Sequence, residues 1–541
     1  MSSADFLLYK PLQLSGAVSF ARPSPKWVYD QSGTLVEVPA NTLGVTYDPA
    51  DLSKAPWALL EPAAPQLLRY TEELNNGAAY GGSQFTIAAN AATAPSGVMA
   101  ADRMAASADT AFHYLDQEVF GRSYVDGEKY TFSVFARADT ISRIRLDFYY
   151  SIGGTGGFVA AFNLATGTID GGDAYIESRD AKIQALPGGW FRCSMVGIVS
   201  QAAAYPSKLL CRVVLLDANG NGSYAGVNAP GAFMWGWNLT PGDKLSSYIA
   251  SGATPLTRAA DVVGAGAGLV YSSVAITEPL WVAGIYAQGA KVRDGDNFVF
   301  ESLAGSNSAP LTEKTKWLPL GKTNQLKMFD KAVNSQTTAP DSLTVVVKPG
   351  QLANTLTLLN VSGAEVTVTQ SESGYTRQQA LATHNVLSWY DFYYQEPQWI
   401  GDTVFADMPP YLNSLITVHV KSPGNIAGLG GFFLGRPKFI GKTQWGLKAG
   451  ILSYSSQEAD TFGNVTLMKR ASAKKMNFEV AVPRGYEDEV YRFMTAADNE
   501  EMIAIASTNW AMTLSYGYLG QWELPLGIEG EKMPVEWRGL I

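Results

Sequence analysis

The sequence predicts a mainly β protein made of tandem β-sandwich modules, joined by short linkers and containing few short helices. Of its 541 residues, 53 are Gly and 27 are Pro, 13 are Trp, 26 are Tyr and 23 are Phe, while only 16% are charged. Aromatic residues favour strands and Gly and Pro favour turns, whereas long amphipathic helices draw on Glu, Lys, Arg and Leu. Short apolar segments separated by turn residues recur along the chain. One hydrophobic core does not extend over this length, which predicts roughly three or four units.

Charge and hydropathy exclude two classes of partner. The formal net charge is −9, and no long run of Lys or Arg is present. Binding to nucleic acid needs clustered cations, so we expect no nucleic-acid partner. No segment approaches the roughly 20 apolar residues of a membrane span, and the first residues, MSSADFLLYKPLQLSG, lack the basic and apolar regions of a signal peptide. We therefore expect a protein without a membrane span that is not exported by a signal peptide.

Residues 1–60 are expected to form an N-terminal arm with little core of its own. Pro23, Pro25, Pro39 and Pro49 exclude a long helix. The segment 27–38, WVYDQSGTLVEV, predicts two short strands joined by an Asp-Gln-Ser-Gly turn. Such an arm is predicted to dock on a neighbouring protein.

Residues 61–262 predict an antiparallel β-sandwich. Apolar segments of strand length alternate with Gly, Asn or Asp clusters, as is typical of this fold. They lie at 130–138, 143–151, 156–164, 189–199 and 208–217. Both cysteines, Cys193 and Cys211, fall in these segments. Buried free thiols are the favoured interpretation, and a disulfide is the alternative.

Residues 263–321 predict a linker followed by a small β module. The stretch 264–280 is rich in small residues and could bridge two modules without a core. The following segment, 281–321, has a tryptophan near each end and an Asp-Gly-Asp turn between two strand-like pieces.

Residues 322–541 predict a second β-sandwich region with one short helix. Polar and apolar residues alternate in 343–347 and 415–420, as in half-buried strands. The helix is predicted at about 485–497, where Val490, Phe493 and Met494 share one face.

Several phrases, taken in order, resemble one protein family. They are SFARPSP (19–25), YDQSG (29–33), LLEPAAPQLLRYTEEL (59–74), YTFSVFARA, GWFRCSM, FMWGWNL (233–239), SSYI (246–249) and TRAAD (257–261). Together they resemble the lectin-like jelly-roll domain of tail and fibre proteins of tailed bacteriophages. The resemblance implies a jelly roll over residues 61–262, preceded by an arm that docks on the virion.

Two further segments also resemble known modules. Residues 281–321 are similar to the small carbohydrate-binding module attached to chitinases, and 327–368 to a β-sandwich that follows such modules in phage tail proteins. The positions that match the chitinase-type pattern are Trp281, Tyr286, Gly289, Val292, Gly295, Phe298, Pro310 and Trp317. The exposed aromatics that stack on sugar in that family should follow Phe298, where this chain has ESLAGSNS.

Motifs for catalysis, metal or cofactor binding are absent from the sequence. His113, His384 and His419 are far apart and have no metal-ligand spacing, so no metal and no cofactor are expected. GGTGG at 153–157 indicates a turn between strands. Asp217–Gly222 matches the first half of a calcium loop, but its twelfth position, Asn228, lacks the closing carboxylate, which favours a hairpin turn.

The densest aromatic neighbourhood is 389–399. Trp389, Tyr390, Tyr393, Tyr394 and Trp399 could line a glycan groove, since aromatic faces stack on sugar rings. The alternative, which we favour, is a packed interface between modules or subunits, because aromatic residues dominate protein contacts.

These observations and the resemblance predict a non-enzymatic structural component of a bacteriophage tail tip, baseplate or fibre that serves virion assembly and host attachment. Its partners would be other tail and baseplate proteins and a host surface glycan or receptor. We expect it to be made in the host cytoplasm, located in the virion tail and assembled as a homo-oligomer, a trimer by analogy with tail symmetry. One alternative is a lectin-like receptor-binding protein. Another is a glycan-degrading tailspike, whose paired carboxylates a sequence cannot exclude.

Overall fold

The computed structural model describes residues 4–14, 16–119, 122–149, 157–170, 176–177, 180–199, 209–383, 388–394, 398–459, 465–508, 510–526 and 532–540. The predicted mainly β fold is confirmed, with strands throughout and two short α-helices among the described residues. The chain divides into two compact units. Residues 20–264 form one, here called the sandwich unit, and residues 1–19 with 265–541 form the other, the barrel unit.

Two sheets face each other in the sandwich unit, as predicted for residues 61–262. The six-stranded front sheet has the order Lys182–Ala185, Trp190–Ile198, Lys129–Ala138, Gly231–Pro241, Met99–Ala106 and Phe85–Thr93. The back sheet has the order Thr168–Asp170, Gly157–Asn163, Arg143–Tyr149, Leu209–Leu216, Tyr114–Val119 and Gly81–Ser83, with Ile176–Glu177 pairing in parallel beside Gly157–Asn163. A single apolar core fills the space between them.

Both cysteines lie in that core as free thiols, which confirms the favoured interpretation. Cys193 is on the front sheet and Cys211 on the back sheet, and both are fully buried. Burial raises the pKa of each thiol. They therefore pack as small apolar side chains.

A β-bulge in the front sheet sends two neighbouring tryptophans to opposite faces. Ser133 pairs with Asn238 and Phe135 pairs with Trp235, so that one residue opposes Gly236 and Trp237. Gly236 takes a φ of 62°, which the bulge requires and which glycine adopts without strain. Trp237 then packs in the core between the sheets, while Trp235 joins a second cluster on the outer face of the front sheet.

Residues 20–61 cover this outer face. The predicted hairpin forms, with strands Lys26–Tyr29 and Leu35–Val38, and its turn is held by Asp30 Oδ1, which accepts hydrogen bonds from Ser32 and Thr34. Tyr29 and Leu35 pack on the outer cluster.

The remaining strands of the unit form short two-stranded ladders. Three of them join Phe20–Ala21 to Val262–Val263, Val45–Thr46 to Trp57–Ala58, and Ala64–Pro65 to Thr257–Arg258. A fourth joins Thr110–Phe112 to Ser223–Ala225.

A buried charge network ties this covering segment to the end of the unit. The side chain of Asp261 is completely buried and pairs with Arg22 and Lys26, while Glu61 pairs with Lys26 and Arg258. Arg22, Glu61, Arg258 and Asp261 belong to the phrases SFARPSP, LLEP and TRAAD, which lie far apart in sequence, and Lys26 directly follows the first of them. The network gives the three phrases one shared structural role.

In the barrel unit, a bent sheet surrounds the larger core. Strand Ile416–Gly435 pairs with Thr337–Lys348 on one side and with Glu365–Gln370 and Thr355–Ser362 in turn on the other. Edges are formed by Gly268–Ser272, Thr376–Ala380 and Thr403–Phe405, and Ala382–Thr383 pairs separately with Gln398–Trp399. The apolar residues of this sheet enclose one core. The stretch 264–280 is thus more than a linker, because Leu269 is buried in that core.

The small module predicted in 281–321 is a three-stranded sheet of Lys291–Arg293, Phe298–Ser302 and Trp317–Lys322. Trp317 is its centre: the ring is fully buried against Tyr286, and its Nε1 donates a hydrogen bond to the carbonyl oxygen of Ala309 at 2.9 Å.

A closed six-stranded barrel completes this unit. Its circular order is Lys438–Thr443, Ala4–Tyr9, Met502–Ile505, Leu514–Trp522, Met533–Gly539 and Ser472–Ala481, and the last strand pairs back with the first. Phe6 and Leu8 of the opening strand lie in the barrel core.

The predicted helix is confirmed as α2, Glu487–Ala496, which buries Val490 and Met494 against the barrel core. The remaining helical elements are α1, Trp389–Tyr394, and 3-10 turns at Pro187–Gly189, Asn324–Phe329 and Ala511–Thr513.

The structure divides the predicted N-terminal arm, residues 1–60, between the two units. Residues 4–9 form a stave of the barrel and residues 20–60 belong to the sandwich unit. Both parts contribute buried apolar residues to cores formed by distant parts of the chain. The arm has little core of its own, as composition suggested, because its apolar residues complete the cores of other segments.

Candidate functional site

The aromatic segment predicted as a site lies at the end of a short two-stranded ladder. Trp389, Tyr390, Tyr393 and Tyr394 belong to α1, and Trp399 lies in the strand that pairs with Ala382. Residues 384–387 and 395–397, which flank α1, are outside the described residues.

The aromatic rings of α1 face solvent. Trp389 is 79% exposed and Trp399 is 65% exposed, and Tyr390, Tyr393 and Tyr394 are similarly open. Rings four residues apart contact each other, with centroid distances of 6.4 Å for Trp389–Tyr393 and 5.1 Å for Tyr390–Tyr394. Within one chain the segment is therefore not a buried contact between modules, which corrects that version of the interface prediction. A contact with a glycan or with another subunit stays a prediction.

A second exposed apolar element was not predicted: a long β-ribbon that leaves the barrel, here called the 448–477 ribbon. Strand Lys448–Ser453 pairs with the first half of Ser472–Ala481, and Ser456–Ala459 pairs with Val465–Met468 farther out. Successive side chains of a strand point to opposite faces. Ile451 and Leu452 are both exposed, and so are Leu467 and Met468, so neither face of the ribbon is covered by this chain.

A groove of about 630 Å³ lies at the base of the ribbon. Trp445 and Trp522 contribute aromatic surface, and Glu479, Glu523 and Glu536 contribute carboxylates. Trp445 is 83% exposed. Lys448 and Lys475 also line the groove, and Lys475 pairs with Glu536 at 3.1 Å. The groove thus combines an open indole with carboxylates that are partly paired with lysines of the same chain.

Two histidines have structural environments, and the third, His384, is outside the described residues. Both ring nitrogens of buried His113 lie close to backbone carbonyl oxygens, at 2.6 Å from Gln84 and 2.8 Å from Tyr224. The Nδ1 of His419 is 2.9 Å from Thr344 Oγ1, and burial, together with the charge of Lys421, lowers its pKa to about 4. The described residues contain no group of three or more potential metal ligands.

The half-match to a calcium loop is a turn. Asp217 Oδ1 accepts hydrogen bonds from the backbone N–H groups of Asn219 and Asn221, at 2.9 and 2.8 Å. Partial burial alone would raise the pKa of Asp217, but these hydrogen bonds hold it below its ordinary value. The carboxylate therefore stabilises a turn, as the Asn and Gly content of this segment indicated. The GGTGG stretch lies almost wholly outside the described residues.

Buried acids of the sandwich unit serve structural contacts. Asp147 forms two hydrogen bonds with Arg145. Asp102 accepts hydrogen bonds from the backbone N–H groups of Leu74 and Asn90, although burial still raises its pKa. Such acids stabilise the fold locally, and the paired-carboxylate hypothesis stays untested.

In the small module, the position expected for sugar-stacking aromatics is polar. Phe298 itself is 40% exposed, and Lys322 Nζ lies 3.9 Å from the centroid of its ring. One face of Phe298 is therefore occupied by a cation.

Comparison with known proteins leaves the family open. No protein-family model matches the chain, and no curated protein matches it. Among solved structures, the tandem CBM22-1–CBM22-2 domain of Paenibacillus barcinonensis Xyn10C overlaps 69% of this chain and 98% of that chain, at 8% identity and a TM-score of 0.21. A vicilin from Solanum lycopersicum overlaps 63% of this chain and 83% of its own chain, at 10% identity and a TM-score of 0.09. A vicilin from Solanum melongena overlaps 70% of this chain and 88% of its own chain, at 11% identity and the same TM-score. Overlaps at these TM-scores carry no argument about fold or function.

Among the described residues, no helix has the length and apolar character needed to cross a membrane.

Sequence reasoning missed the ribbon and the buried charge network. The ribbon had a usable signal, since Ile451, Leu452, Leu467 and Met468 occur as adjacent apolar pairs, a pattern that does not fit one-sided burial. The network had none, because Arg22 and Asp261 are 239 residues apart.

Proposed function

We propose that this chain is a structural component of a bacteriophage tail tip, baseplate or fibre, and that the 448–477 ribbon joins one copy to the next. The observation that carries the proposal is that both faces of the ribbon expose apolar side chains. An isolated two-stranded ribbon is at best marginally stable in water, so a partner surface should cover it. The phage assignment is supported by the matching phrases, three of which share the buried charge network.

The partner that fits the ribbon is a second copy of this chain. Lys469 and Arg470, which follow the outer strand of the ribbon, form no ion pair within the described residues. The groove beside Trp445 and Trp522 offers aromatic surface and the carboxylate of Glu523, while Glu479 and Glu536 already pair with lysines. A ribbon of one copy in the groove of the next is a head-to-tail contact, which forms a ring when the rotation between copies closes. The rotational symmetry of a tail requires such closure.

The test compares oligomers of the purified protein by mass photometry. The double variant Ile451→Lys, Leu467→Lys should be monomeric where the native chain forms rings, and its melting temperature should stay within about 2 °C because both side chains are exposed. Val98→Lys, which changes an exposed apolar residue of the sandwich unit, is the matched control and should still assemble.

In phage particles, the native chain should be found in purified tails by mass spectrometry, and the ribbon variant should be depleted from them. A native chain that stays monomeric at all concentrations and is absent from purified particles would contradict the proposal.

A second function, attachment to a host surface glycan or receptor, is favoured by the exposed aromatic rings of α1. Such an unburied group of Trp and Tyr side chains supplies large contact area at low entropic cost. The double variant Trp389→Ala, Trp399→Ala should bind host cells at least about tenfold more weakly and keep its melting temperature. Adsorption equal to that of the native chain would exclude this role, and release of reducing sugar from host polysaccharide would support the tailspike alternative.

A further inference from the structure

A small cavity lies on the outer face of the front sheet, where residues 20–61 cover it. Its volume is about 190 Å³, and its lining includes Trp27, Tyr29, Trp57, Glu61, Gln184 and Arg192. This volume is below that of a typical drug-sized pocket, so it admits one small ring. Trp57, which is 38% exposed, marks the side of the lining that meets solvent. We call this space the Arg192 cavity.

Arg192 is buried without a carboxylate partner among the described residues. The guanidinium lies against the Phe135 ring, and its Nη2 donates to the carbonyl oxygen of Ser246 at 2.9 Å and to Ser133 Oγ at 3.3 Å. Its Nε and the Tyr29 hydroxyl lack a hydrogen bond of good geometry in the described part of the chain, although the two side chains are close enough to interact. Burial lowers the pKa of Arg192, although an Arg side chain remains charged at neutral pH.

The surrounding carboxylates compensate this cation only in part: the charge of Glu61 acts on Arg192, but no carboxylate pairs with it among the described residues. Behind the cavity, Arg22, Lys26 and Arg258 share only two carboxylates, Asp261 and Glu61. Burial would raise the pKa of Glu61, but the charges of Lys26 and Arg258 hold it below its ordinary value. Glu61 is therefore ionised, and it already pairs with Lys26 and Arg258. Burial raises the pKa of Tyr29, so its phenol is neutral.

Arg22, Lys26, Arg258 and Arg192 therefore outnumber the carboxylates of Asp261 and Glu61, and the next acid, Glu72, is hydrogen-bonded to Tyr248. A buried ion without a counter-charge is strongly unfavourable. A bound anion would remove part of this cost. Arg192 lines the cavity, and its Nε is a donor without a hydrogen-bond partner among the described residues.

The remaining lining favours an anion carried on a hydroxylated ring. Trp27 and Trp57 provide indole surface for the C–H face of a pyranose, and the Gln184 amide and the Tyr29 hydroxyl provide partners for ring hydroxyls. A bare phosphate would use the charge but none of the indole surface.

We propose that the Arg192 cavity binds one acidic monosaccharide unit of the uronic-acid type, with its carboxylate on Arg192 and its ring against the indoles. The site lies within the sandwich unit, contains none of the α1 aromatics and is independent of the proposed role of the ribbon.

The experiment measures binding of D-glucuronate and D-galacturonate to the full chain by isothermal titration calorimetry, with tryptophan fluorescence as a second readout. At least one uronate should bind at least about tenfold more tightly than D-glucose and than inorganic phosphate, because only the uronate satisfies both the cation and the indoles. Phosphate binding as tight as that of both uronates, or no binding by either uronate, would overturn the proposal.

Two variants locate the site. Arg192→Gln should lose at least about tenfold in uronate affinity, and Trp57→Ala, which removes a partly exposed ring, should weaken binding in a chain that remains folded. Arg137→Gln is the matched control: Arg137 also stacks on aromatic rings, those of Trp190 and Phe233, but does not line the cavity. Undiminished uronate affinity in Trp57→Ala, or an equal loss in Arg137→Gln, would overturn the assignment.

Discussion

Asp261 shows how single residues secure the sandwich unit. One of its carboxylate oxygens accepts a hydrogen bond from Arg22 Nη1 at 3.1 Å, and the other accepts from Lys26 Nζ at 2.6 Å and from the backbone N–H of Glu61 at 2.8 Å. All three donors come from residues 22–61. This carboxylate therefore holds the covering segment on the sandwich.

Replacing Asp261 by Ala should destabilise the sandwich unit by about 3–5 kcal/mol, because Arg22 and Lys26 would stay buried without this carboxylate. Chemical denaturation followed by fluorescence measures the change. Asp243→Ala is the control: Asp243 pairs with Lys129 at the surface, where such a pair contributes less than about 1 kcal/mol. Equal stability of the two variants would contradict a structural role for the network.

His419 predicts a loss of stability in mild acid. Its folded-state pKa of about 4 lies below the unfolded value of 6.5, because burial and Lys421 disfavour the charged ring. The unfolded chain therefore binds more protons between these values, so the His419 contribution is fully present above about pH 6.5 and falls as pH decreases toward 4. The loss amounts to at most roughly 3 kcal/mol.

Denaturant midpoints between pH 7 and pH 4 measure this dependence. His419→Gln keeps a polar group near Thr344 and removes the titration, so its stability should vary less over this range than that of the native chain. An unchanged pH profile in the variant would assign the acid sensitivity to other groups.

At the scale of elements, the bulge at Gly236 decides which tryptophan enters which core. A Cβ at this position would lie 2.9 Å from Phe135 Cδ2 and 3.3 Å from the Tyr248 ring, and the φ of 62° is itself unfavourable for other residues. Without the bulge, Trp235 and Trp237 would point to the same face of the strand.

We therefore expect Gly236→Ala to lower the stability of the sandwich unit by about 1–3 kcal/mol. Gly252→Ala is the matched control, since nothing lies within 4 Å of its Cβ and its φ is ordinary. Thermal unfolding of both variants checks the difference, and a Gly236→Ala variant as stable as the control would show that the bulge tolerates a side chain.

At the scale of the whole molecule, the first strand of the chain closes a barrel built from the last hundred residues. Leu7 pairs with Ile505 and Leu8 with Ala504, while Phe6 pairs with Gly441 on the other side. Tyr9 extends the contact beyond the barrel, because its hydroxyl donates a hydrogen bond to Thr357 Oγ1 at 2.8 Å. The stave therefore connects two cores of the barrel unit.

Deleting residues 1–11 should open the barrel, since strands Lys438–Thr443 and Met502–Ile505 would each lose a paired neighbour. Hydrogen exchange read by mass spectrometry should show loss of protection in residues 438–443 and 502–505, with residues 129–138 of the sandwich unit unchanged as the internal control. Full protection of the barrel strands in the truncated chain would contradict the requirement for this stave.

Local pattern was sufficient for much of the secondary structure. Strand-forming segments and turn residues predicted the sandwich strands and the hairpin turn at Asp30, and an apolar face predicted helix α2, because each depends on residues within one element. The burial of the thiols followed from the apolar character of their strands, and their free state from the rarity of disulfides in cytoplasmic proteins. The aromatic segment was also identified, but its exposure was not, since composition alone does not distinguish a buried aromatic cluster from an exposed one.

Tertiary structure alone decided which segments share a core. Residues 4–9 pair with strands more than 400 residues away, and Arg22 meets Asp261 across most of the sandwich unit. Periodicity states that one face of a strand is buried but does not name the partner that buries it, so barrel closure was not predictable. The burial of Arg192 close to three other cations was not predictable for a similar reason. The sequence determines the number of charges, but only the fold determines which of them are buried together.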